Sequence, residues 1–440
     1  MKKGAASFYI VAFSTLILTV IATSFAMVII SEISRSANDD LSQSAYDSAL
    51  AGVEDAKVAY ANYKRCKEAG FEAPSSFTNA GNTCQKIIWW VEKEPNCDMV
   101  ANILDRSQGP NKEVELGGVA IGGGGGVTTT NQAYTCVMIN TKLSDYRATL
   151  GSNNKVQTMR ASIGNGPTNN VSKIKIGWYT RRHDLNDGIL TYSNFNSKVT
   201  FGKIGASSTL KSAIPPTLEV QILQTGTSFN LSDFDNVNGN QTNRATVYLV
   251  PTNNVNKARE NNSSNNYVGV YTGTNPTNGV NRVSAAQVAR TNSHTVSNKA
   301  HAVYCNPNGS DEFFCTTEIE MPAPIGGGAR SNETFMISVA LPYQQPDTDF
   351  SIEFYCNGDT TCGTVEGGMG GSGSPAMLRN TQISIDSTGR ANDLYRRVET
   401  RLETSDTTYA TSYPYYALQI LGSGAVTKNM TVTKEWNFYF

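Results

Sequence analysis

The chain has 440 residues, a formal net charge of −1 and only 17% charged residues. This length leaves room for two or three domains with a sizeable core. Because so few charges are available, no extended basic face can form, and the composition predicts no nucleic-acid partner. Gly, Ser, Thr and Asn are abundant after Lys67, which predicts β-strands joined by long polar loops.

The first stretch, from Lys2 to about Lys67, predicts one long helix without a proline. Residues 8–30 form a run of 23 residues without a charge, long enough to cross the hydrocarbon core of a bilayer. From Ile33 to Tyr63, apolar or small residues recur every three or four positions, which predicts an amphipathic second half over residues 31–67. Roughly 60 residues at about 1.5 Å each make a rod about 90 Å long.

The flanks of the apolar run predict its orientation. Lys2-Lys3 precede it, whereas Glu32 and Arg35 nearly cancel after it, so the short N-terminus is expected in the cytoplasm and the large C-terminal part outside. A cleaved secretory signal peptide is the alternative, because Ser24–Ala26 fits a small-x-small cleavage site. The apolar run continues to Ile30, and the helical period crosses this site without a break, which favours a retained membrane helix.

Small hydroxylated side chains occur within the apolar run. Such residues let membrane helices approach closely, or they hydrogen-bond to their own backbone. We interpret them as a sign of helix packing, although ordinary anchors contain them as well. They are Ser7, Ser14, Thr15, Thr19, Thr23 and Ser24.

Eight cysteines fall into two groups of four. An even number on the far side of a membrane indicates disulfides, and the simplest expectation pairs nearest neighbours, although the sequence does not determine connectivity. A zinc site would require Cys-x-x-Cys pairs or Cys and His at short spacing, which the three histidines do not supply, so no metal or cofactor is expected. The expected pairs are Cys66–Cys84, Cys97–Cys136, Cys305–Cys315 and Cys356–Cys362.

The N-terminal residues resemble those of type IV pilins and pilin-like proteins. Lys2-Lys3-Gly4, followed by an apolar helix that continues into an amphipathic half, is similar to the basic leader that a prepilin peptidase removes. The segment 49–56 (ALAGVEDA) is similar to the Ala-x-Ala-Gly-x-Glu-x-Ala stretch of PilX-type minor pilins. The resemblance covers about the first sixty residues. It implies that Gly4 ends the leader and that Ala5 is the mature N-terminus.

Two positions depart from the pilin pattern. Most pilins have a glutamate as the fifth mature residue, which meets a neighbour's terminal amine during assembly, but this chain has Tyr9 there and no acidic residue before Glu32. The first mature residue is usually large and apolar, whereas here it is Ala5. Among pilin-like proteins, loss of this glutamate together with a large globular part resembles subunits at the filament tip, and the resemblance therefore implies a minor or tip subunit.

After Lys67 the chain is expected to be loop-rich to about Gly126, with Trp89 and Trp90 packed against the rod. Seven later segments alternate or are β-branched, and these predict strands. The first three suggest an antiparallel meander laid on the rod, and the others suggest a sandwich-like region. The seven segments are 133–139, 156–162, 171–179, 218–223, 245–250, 335–341 and 351–355.

A later stretch, residues 382–402, predicts two strands joined by a turn at Ser387–Gly389. Its four arginines are interpreted either as a patch for an anionic ligand or, preferably, with two of them, Arg397 and Arg401, paired with Glu399 and Glu403 across a solvent face, because alternate strand positions share a face. The aromatic segment Glu435–Phe440 is predicted to be a docked terminal strand. The arginines are Arg390, Arg396, Arg397 and Arg401, with Glu399 and Glu403 beside them.

The sequence offers little for catalysis. The run Gly122–Gly126 lacks the lysine and Ser/Thr of a phosphate loop, so a flexible loop is expected. The stretch Asp233–Gly239 is one residue off the EF-hand pattern, which leaves a weak loop calcium as an alternative. Neither a nucleophile elbow nor a histidine-centred triad can be assembled convincingly from His183, His294 or His301, and no enzyme is expected.

The sequence thus predicts an α+β fold: a long N-terminal transmembrane and amphipathic helix packed on an antiparallel sheet, with a large, sandwich-like β-rich extracellular head. The expected divisions are a prepilin-type leader (1–4), the N-terminal helix (5–67), a disulfide-containing pilin-like head (68–180) and a β-rich C-terminal region (181–440). The expected function is a minor or tip subunit of a type IV pilus-type filament, made at the cytoplasmic membrane and then displayed on the cell surface. Its expected partners are other pilin subunits, the prepilin peptidase, the pilus assembly machinery and a host or surface ligand. A single-pass membrane-anchored adhesin is the alternative, and an enzyme or glycan-binding module is third.

Overall fold

The fold was analysed in a computed structural model of the chain, which divides into two compact units. Unit 1 comprises Met1–Thr141 and Ser384–Leu402, and unit 2 comprises Lys142–Ile383 and Glu403–Phe440. This division differs from the expected boundary at residue 180, because the last strands of unit 1 follow unit 2 in the sequence. The structure describes residues 4–109, 112–116, 132–151, 155–163, 171–180, 215–225, 244–260, 267–274, 278–284, 300–306, 311–321, 334–342, 347–356, 375–379 and 381–404.

The described residues form a mixed α+β structure, as predicted. Each of the seven predicted strand segments overlaps an observed strand. The helices are α1 (Gly4–Glu68), α2 (Thr83–Glu92), α3 (Met99–Leu104) and α4 (Val255–Arg259), with a single 3-10 turn at Phe77–Asn79. The strands are β1 (Val114–Glu115), β2 (Gln132–Asn140), β3 (Asp145–Leu150), β4 (Val156–Ile163), β5 (Val171–Thr180), β6 (Leu218–Thr225), β7 (Arg244–Thr252), β8 (Tyr267–Gly269), β9 (Arg282–Val283), β10 (Ala300–Tyr304), β11 (Phe313–Glu320), β12 (Thr334–Ala340), β13 (Thr348–Cys356), β14 (Leu378–Arg379), β15 (Gln382–Ala391) and β16 (Leu394–Glu403).

Unit 1 is built from the second half of α1 and a four-stranded sheet in the order β1-β2-β15-β16. Strand β2 pairs antiparallel with β15, and Asn140 lies opposite Ser384 at one end of the pair. The predicted meander of β2, β4 and β5 is therefore wrong, because these three strands belong to three different sheets. Proximity in the sequence suggested the meander, whereas the partner of β2 comes from a segment more than two hundred residues later.

One face of the second half of α1 is buried. The buried positions recur every three or four residues, as the amphipathic pattern predicts. Burial begins at Ala45, whereas Ile33 and Ala37 of the predicted face are exposed. The pattern thus identified the correct face but not where along the helix packing begins. The buried residues are Ala45, Ser48, Ala49, Gly52, Val53, Ala56, Ala59 and Cys66.

The helix and β15 approach each other closely because both present small residues. The Ser387 hydroxyl donates a hydrogen bond to the Ala49 carbonyl oxygen over 2.7 Å. At Gly389, an added Cβ would lie 2.2 Å from the Ala45 carbonyl oxygen and 2.2 Å from the Ala49 amide nitrogen. Ser387–Gly389 is therefore not the predicted turn but the middle of a strand against a helix. The turn is at Asn392-Asp393, where Asn392 takes a positive φ of 50°.

The segment after α1 is partly helical, which corrects the expectation of a loop-rich region. Asn82 caps α2 by accepting a hydrogen bond from the Gln85 amide, and Ile87, Ile88 and Val91 are the buried side chains of this helix. Ile87 and Ile88 pack in one cluster with Cys66 of α1. The isoleucines, rather than the two tryptophans, therefore form the buried face of α2.

Three of the four expected disulfides are present. Cys66–Cys84 joins the end of α1 to α2, and Cys97–Cys136 joins the segment before α3 to β2. Cys305–Cys315 joins the residue after β10 to β11. In the fourth expected pair, Cys362 and the side chain of Cys356 lie outside the described residues.

Unit 2 contains a seven-stranded sheet, β14-β4-β12-β6-β7-β10-β8, and a five-stranded sheet, β3-β13-β5-β11-β9. Side chains from both sheets share one hydrophobic core, which includes Trp178, Leu249, Ile337 and Phe350. Most pairings are antiparallel, but β10 runs parallel to β7 and β8, and β11 runs parallel to β9. Two sheets around one core agree with the sandwich-like arrangement that the sequence predicts.

Replacing Gly389 with alanine should destabilise unit 1, because backbone atoms of α1 occupy the position of the new Cβ. Such overpacking costs about 1–3 kcal/mol, and backbone can move aside less easily than a side chain. Gly81→Ala is the matched control, since its Cβ would meet only the Gln85 side chain at 3.4 Å. Denaturant unfolding of the purified chain measures both variants, and equal stability of the two would contradict this account of the helix–strand contact.

Unit 2 should lose stability as the pH falls from 6.5 to about 4, because burial lowers the pKa of His301 to about 4. This side chain is 5% exposed, and its Nδ1 finds no hydrogen-bond partner in the structure. Since the unfolded chain binds the proton more readily in this range, stability falls by about 1.4 kcal/mol per pH unit as the pH decreases, and is retained above pH 6.5.

Hydrogen exchange of the β10 amides, measured across this pH range, tests the His301 prediction. His301→Leu removes the titrating group, so the stability of unit 2 should depend less steeply on pH in this variant. If the stability of unit 2 falls equally steeply with decreasing pH in the wild type and in His301→Leu, a group other than His301 causes the pH dependence.

Candidate functional site: the first helix

The first half of α1 exposes an unusual amount of apolar surface. Every described side chain from Val11 to Asp40 is exposed, and the large apolar ones between Val11 and Ile30 range from 43% to 73% exposed. An 18-residue window of this helix has a mean hydropathy of 2.3 and no buried residue. By length and composition, the helix can cross a membrane. Water is a poor solvent for such a surface, so a bilayer or other protein must cover it.

The hydroxyl groups in this half bond to the helix itself. Ser14 donates to the Val11 carbonyl oxygen over 3.0 Å, and Thr19 donates to the Leu16 carbonyl oxygen over 2.8 Å. Thr15, Thr23 and Ser24 make the same kind of bond to carbonyls three or four residues earlier. The sequence left two roles for these hydroxyl groups, helix packing and hydrogen bonding to their own backbone, and the structure shows the second. These bonds satisfy the hydroxyl donors, so the side chains can enter an apolar environment at little cost.

The other predicted residues of this helix lie on the same rod. Gly4, Ala5 and Tyr9 are within α1, and their side chains are outside what the structure describes. Glu32 is exposed just after the apolar run. The processing and assembly roles of these residues remain predictions.

The 49–56 segment, on which the resemblance rests in part, lies within the part of α1 that contacts the sheet. Ala49 receives the Ser387 hydrogen bond, and an added Cβ at Gly52 would lie 2.4 Å from the Ser387 hydroxyl oxygen. Asp55 accepts hydrogen bonds from Tyr134 of β2, over 2.8 Å, and from Arg106, over 2.7 and 3.0 Å. The segment therefore combines two small residues for close approach with one carboxylate that ties the helix to β2.

Burial and the hydrogen bond to Asp55 together raise the pKa of Tyr134 above its usual range. The phenol therefore stays protonated at physiological pH and continues to donate its hydrogen bond. In the sequence motif the acidic position is Glu54, and Asp55 occupies a variable position, so the contacts of Asp55 with Tyr134 and Arg106 could not be read from it.

The arginines of β15 and β16 are engaged within unit 1. Arg390 forms a largely buried ion pair with Glu113, and Arg397 forms an ion pair with Asp386 of the adjacent strand. Arg396 donates to the Ser42 hydroxyl oxygen of α1 over 2.6 and 2.8 Å. These contacts favour the pairing interpretation over an anionic-ligand patch, although Arg390 and Arg397 use partners that the sequence analysis did not name. Arg401 lies 3.9 Å from Glu399, which is a loose pair.

Other sequence predictions fall outside the described residues. These are the glycine run at 122–126, the weak calcium loop at 233–239, His183, His294 and the terminal segment 435–440. Within the described residues, no cluster of three or more His, Cys, Asp or Glu side chains could hold a metal ion.

Comparisons with protein-family models, curated proteins and solved structures found no match to this chain.

Two arginines placed at Ile17 and Ile21 should expel the helix from the bilayer, because each charge near the middle of a span costs about 3 kcal/mol. The measurement is the fraction of protein that resists alkaline extraction from membranes. The matched control carries arginines with the same four-residue spacing at Tyr46 and Leu50, which are exposed on the second half of α1. It should remain in the membrane fraction. Equal extraction of both variants would show that the apolar half does not anchor the protein.

Proposed function

We propose that this protein is a pilin-like structural subunit of a type IV pilus-type surface filament, in a minor or tip position. The observation that carries the proposal is the division of α1. Its first half is apolar and exposed, and its second half is fixed to a disulfide-linked sheet. A helix of this kind can reside in a bilayer first and then in a helical bundle, because both environments cover the same surface.

The disulfides support an oxidising compartment for the folded units, which agrees with an outward-facing C-terminal part. A single apolar helix followed by such units has the topology of a membrane-anchored precursor. Leader removal after Gly4 by a prepilin peptidase, and export by the pilus assembly machinery, are parts of the proposal that rest on the N-terminal resemblance.

The proposed tip or minor position rests on Tyr9. A repeating subunit benefits from a carboxylate at this position to meet the terminal amine of its neighbour, whereas a subunit with no neighbour above it does not need one. Unit 2, with its large two-sheet core, would then be displayed for assembly priming or adhesion.

A single-pass surface adhesin that never enters a filament is the second candidate. The apolar half of α1 supports it as well, because a bilayer alone would cover the exposed side chains. The two candidates differ in N-terminal processing and in whether the exported protein is associated with other filament subunits.

Mass spectrometry of the mature N-terminus tests the proposal in a host that contains a prepilin peptidase. We expect a chain that begins at Ala5, and we expect Gly4→Leu to leave the leader attached and abolish surface assembly. Ala26→Leu is the control, since it would block a signal peptidase but not a prepilin peptidase.

A mature chain that begins at Met27 would reject both membrane-rod functions. A wild-type chain that still begins at Met1 would favour the second candidate, the single-pass surface adhesin that never enters a filament. Immunolabelling of sheared filaments gives the independent readout, and filaments that lack the protein would contradict incorporation.

A further inference from the structure

We propose that a cluster of three aromatic residues in unit 1, Phe77, Trp89 and Trp90, is a binding site for a glycan chain of equatorially substituted pyranoses. The inference deepens the proposed function by naming a ligand class for the displayed part of the protein. Binding by the purified protein does not require filament incorporation, so the two proposals can fail separately.

The aromatic cluster is held at the surface by two elements. Phe77 belongs to the 3-10 turn after α1, and the tryptophans are consecutive residues of α2. The Phe77 ring lies 5.5 Å from the Trp90 ring and 6.5 Å from the Trp89 ring, centroid to centroid. The buried side chains of α2 are Ile87, Ile88 and Val91, and the two tryptophans are not among them.

These rings remain accessible to solvent. Phe77 is 41% exposed, and both tryptophans are only half-buried. An exposed phenylalanine beside two partly exposed tryptophans leaves the faces of large apolar rings in contact with water. The Trp89 indole donates its N–H to Glu94 over 3.1 Å, which limits rotation of that ring.

Polar side chains flank Phe77 in the sequence, and a carboxylate contacts the Trp89 ring nitrogen. Phe77 lies within Ser75-Ser76-Phe77-Thr78-Asn79, where the Ser76 and Thr78 hydroxyl oxygens are 3.0 Å apart and Asn79 donates to Ser75. Hydroxyl, amide and carboxylate groups can exchange hydrogen bonds with sugar hydroxyls, while the apolar C–H faces of an equatorially substituted pyranose stack on aromatic rings. The combination fits a glycan better than a purely apolar ligand.

Two other occupants fit less well. With Ile30 as the end of the proposed membrane span, Cys66 lies about 50 Å further along the helix, and α2 is joined to it by the Cys66–Cys84 disulfide. The cluster is therefore too far from the lipid headgroups to be an interfacial aromatic belt. Three rings also offer much less area than the roughly 800 Å² per partner of a stable protein interface.

The test is a titration of the purified full chain, in detergent, with cellohexaose and chitohexaose, followed by tryptophan fluorescence and calorimetry. We expect saturable binding of at least one of the two oligosaccharides. Phe77→Ser should weaken it by about tenfold through loss of one stacked ring. Tyr395→Ser is the matched control, because it removes an aromatic side chain of the same unit that is 57% exposed and belongs to β16.

Circular dichroism and non-reducing peptide mapping of Cys66–Cys84 confirm that Phe77→Ser is folded. Trp90→Phe provides a second variant, which should retain part of the affinity because a smaller ring still stacks. Absence of binding to both oligosaccharides, or equal affinity of Phe77→Ser and Tyr395→Ser, would overturn the proposal. Binding of vesicles through the cluster, lost in Phe77→Ser while the oligosaccharides have no effect, would also overturn it in favour of lipid.

Discussion

The structure of unit 1 depends on how closely α1 can approach β15. Ala45 and Ala49 on the helix face Ser387 and Gly389 on the strand, and at Gly389 backbone meets backbone with no room for a side chain. This close approach places Asp55 within reach of Tyr134 and Arg106. The sheet thereby holds the second half of the helix while the first half remains uncovered. The exposed apolar surface, and every function considered for it, follows from that division of one continuous helix.

Two disulfides reinforce the same arrangement. Cys66–Cys84 joins α1 to α2, and Cys97–Cys136 joins the segment before α3 to β2, so covalent bonds tie the region of the short helices to both the rod and the sheet. Small helices rarely remain folded without such support, because their few buried side chains contribute little. Here Ile87 and Ile88 pack against Cys66, and the face of α2 that carries Trp89 and Trp90 is left available to solvent.

Local signals in the sequence predicted much of this structure, and long-range relationships were missed. The apolar run, the helical period from Ala45 to Ala56 and the strand alternation act over a few residues, so they could be read directly. Three disulfides followed from nearest-neighbour pairing because each joins elements close in the chain. The partner of β2 could not be predicted, since Asn140 and Ser384 are brought together only by folding. Ser387–Gly389 was misread for the same reason: small residues indicate a turn unless a distant helix is known to lie against them.

The contact between Ser387 and Ala49 spans 338 residues of sequence. Strands β15 and β16 follow nearly all of unit 2, so the sheet of unit 1 cannot be completed until the chain through residue 402 has been synthesised. Contacts of such high sequence separation form slowly because a long loop must close first. Until then, the face of α1 that packs on β15 has no strand to cover it. These last two strands thus act as a completion check, because only a chain synthesised through β16 has the full sheet that holds the second half of α1.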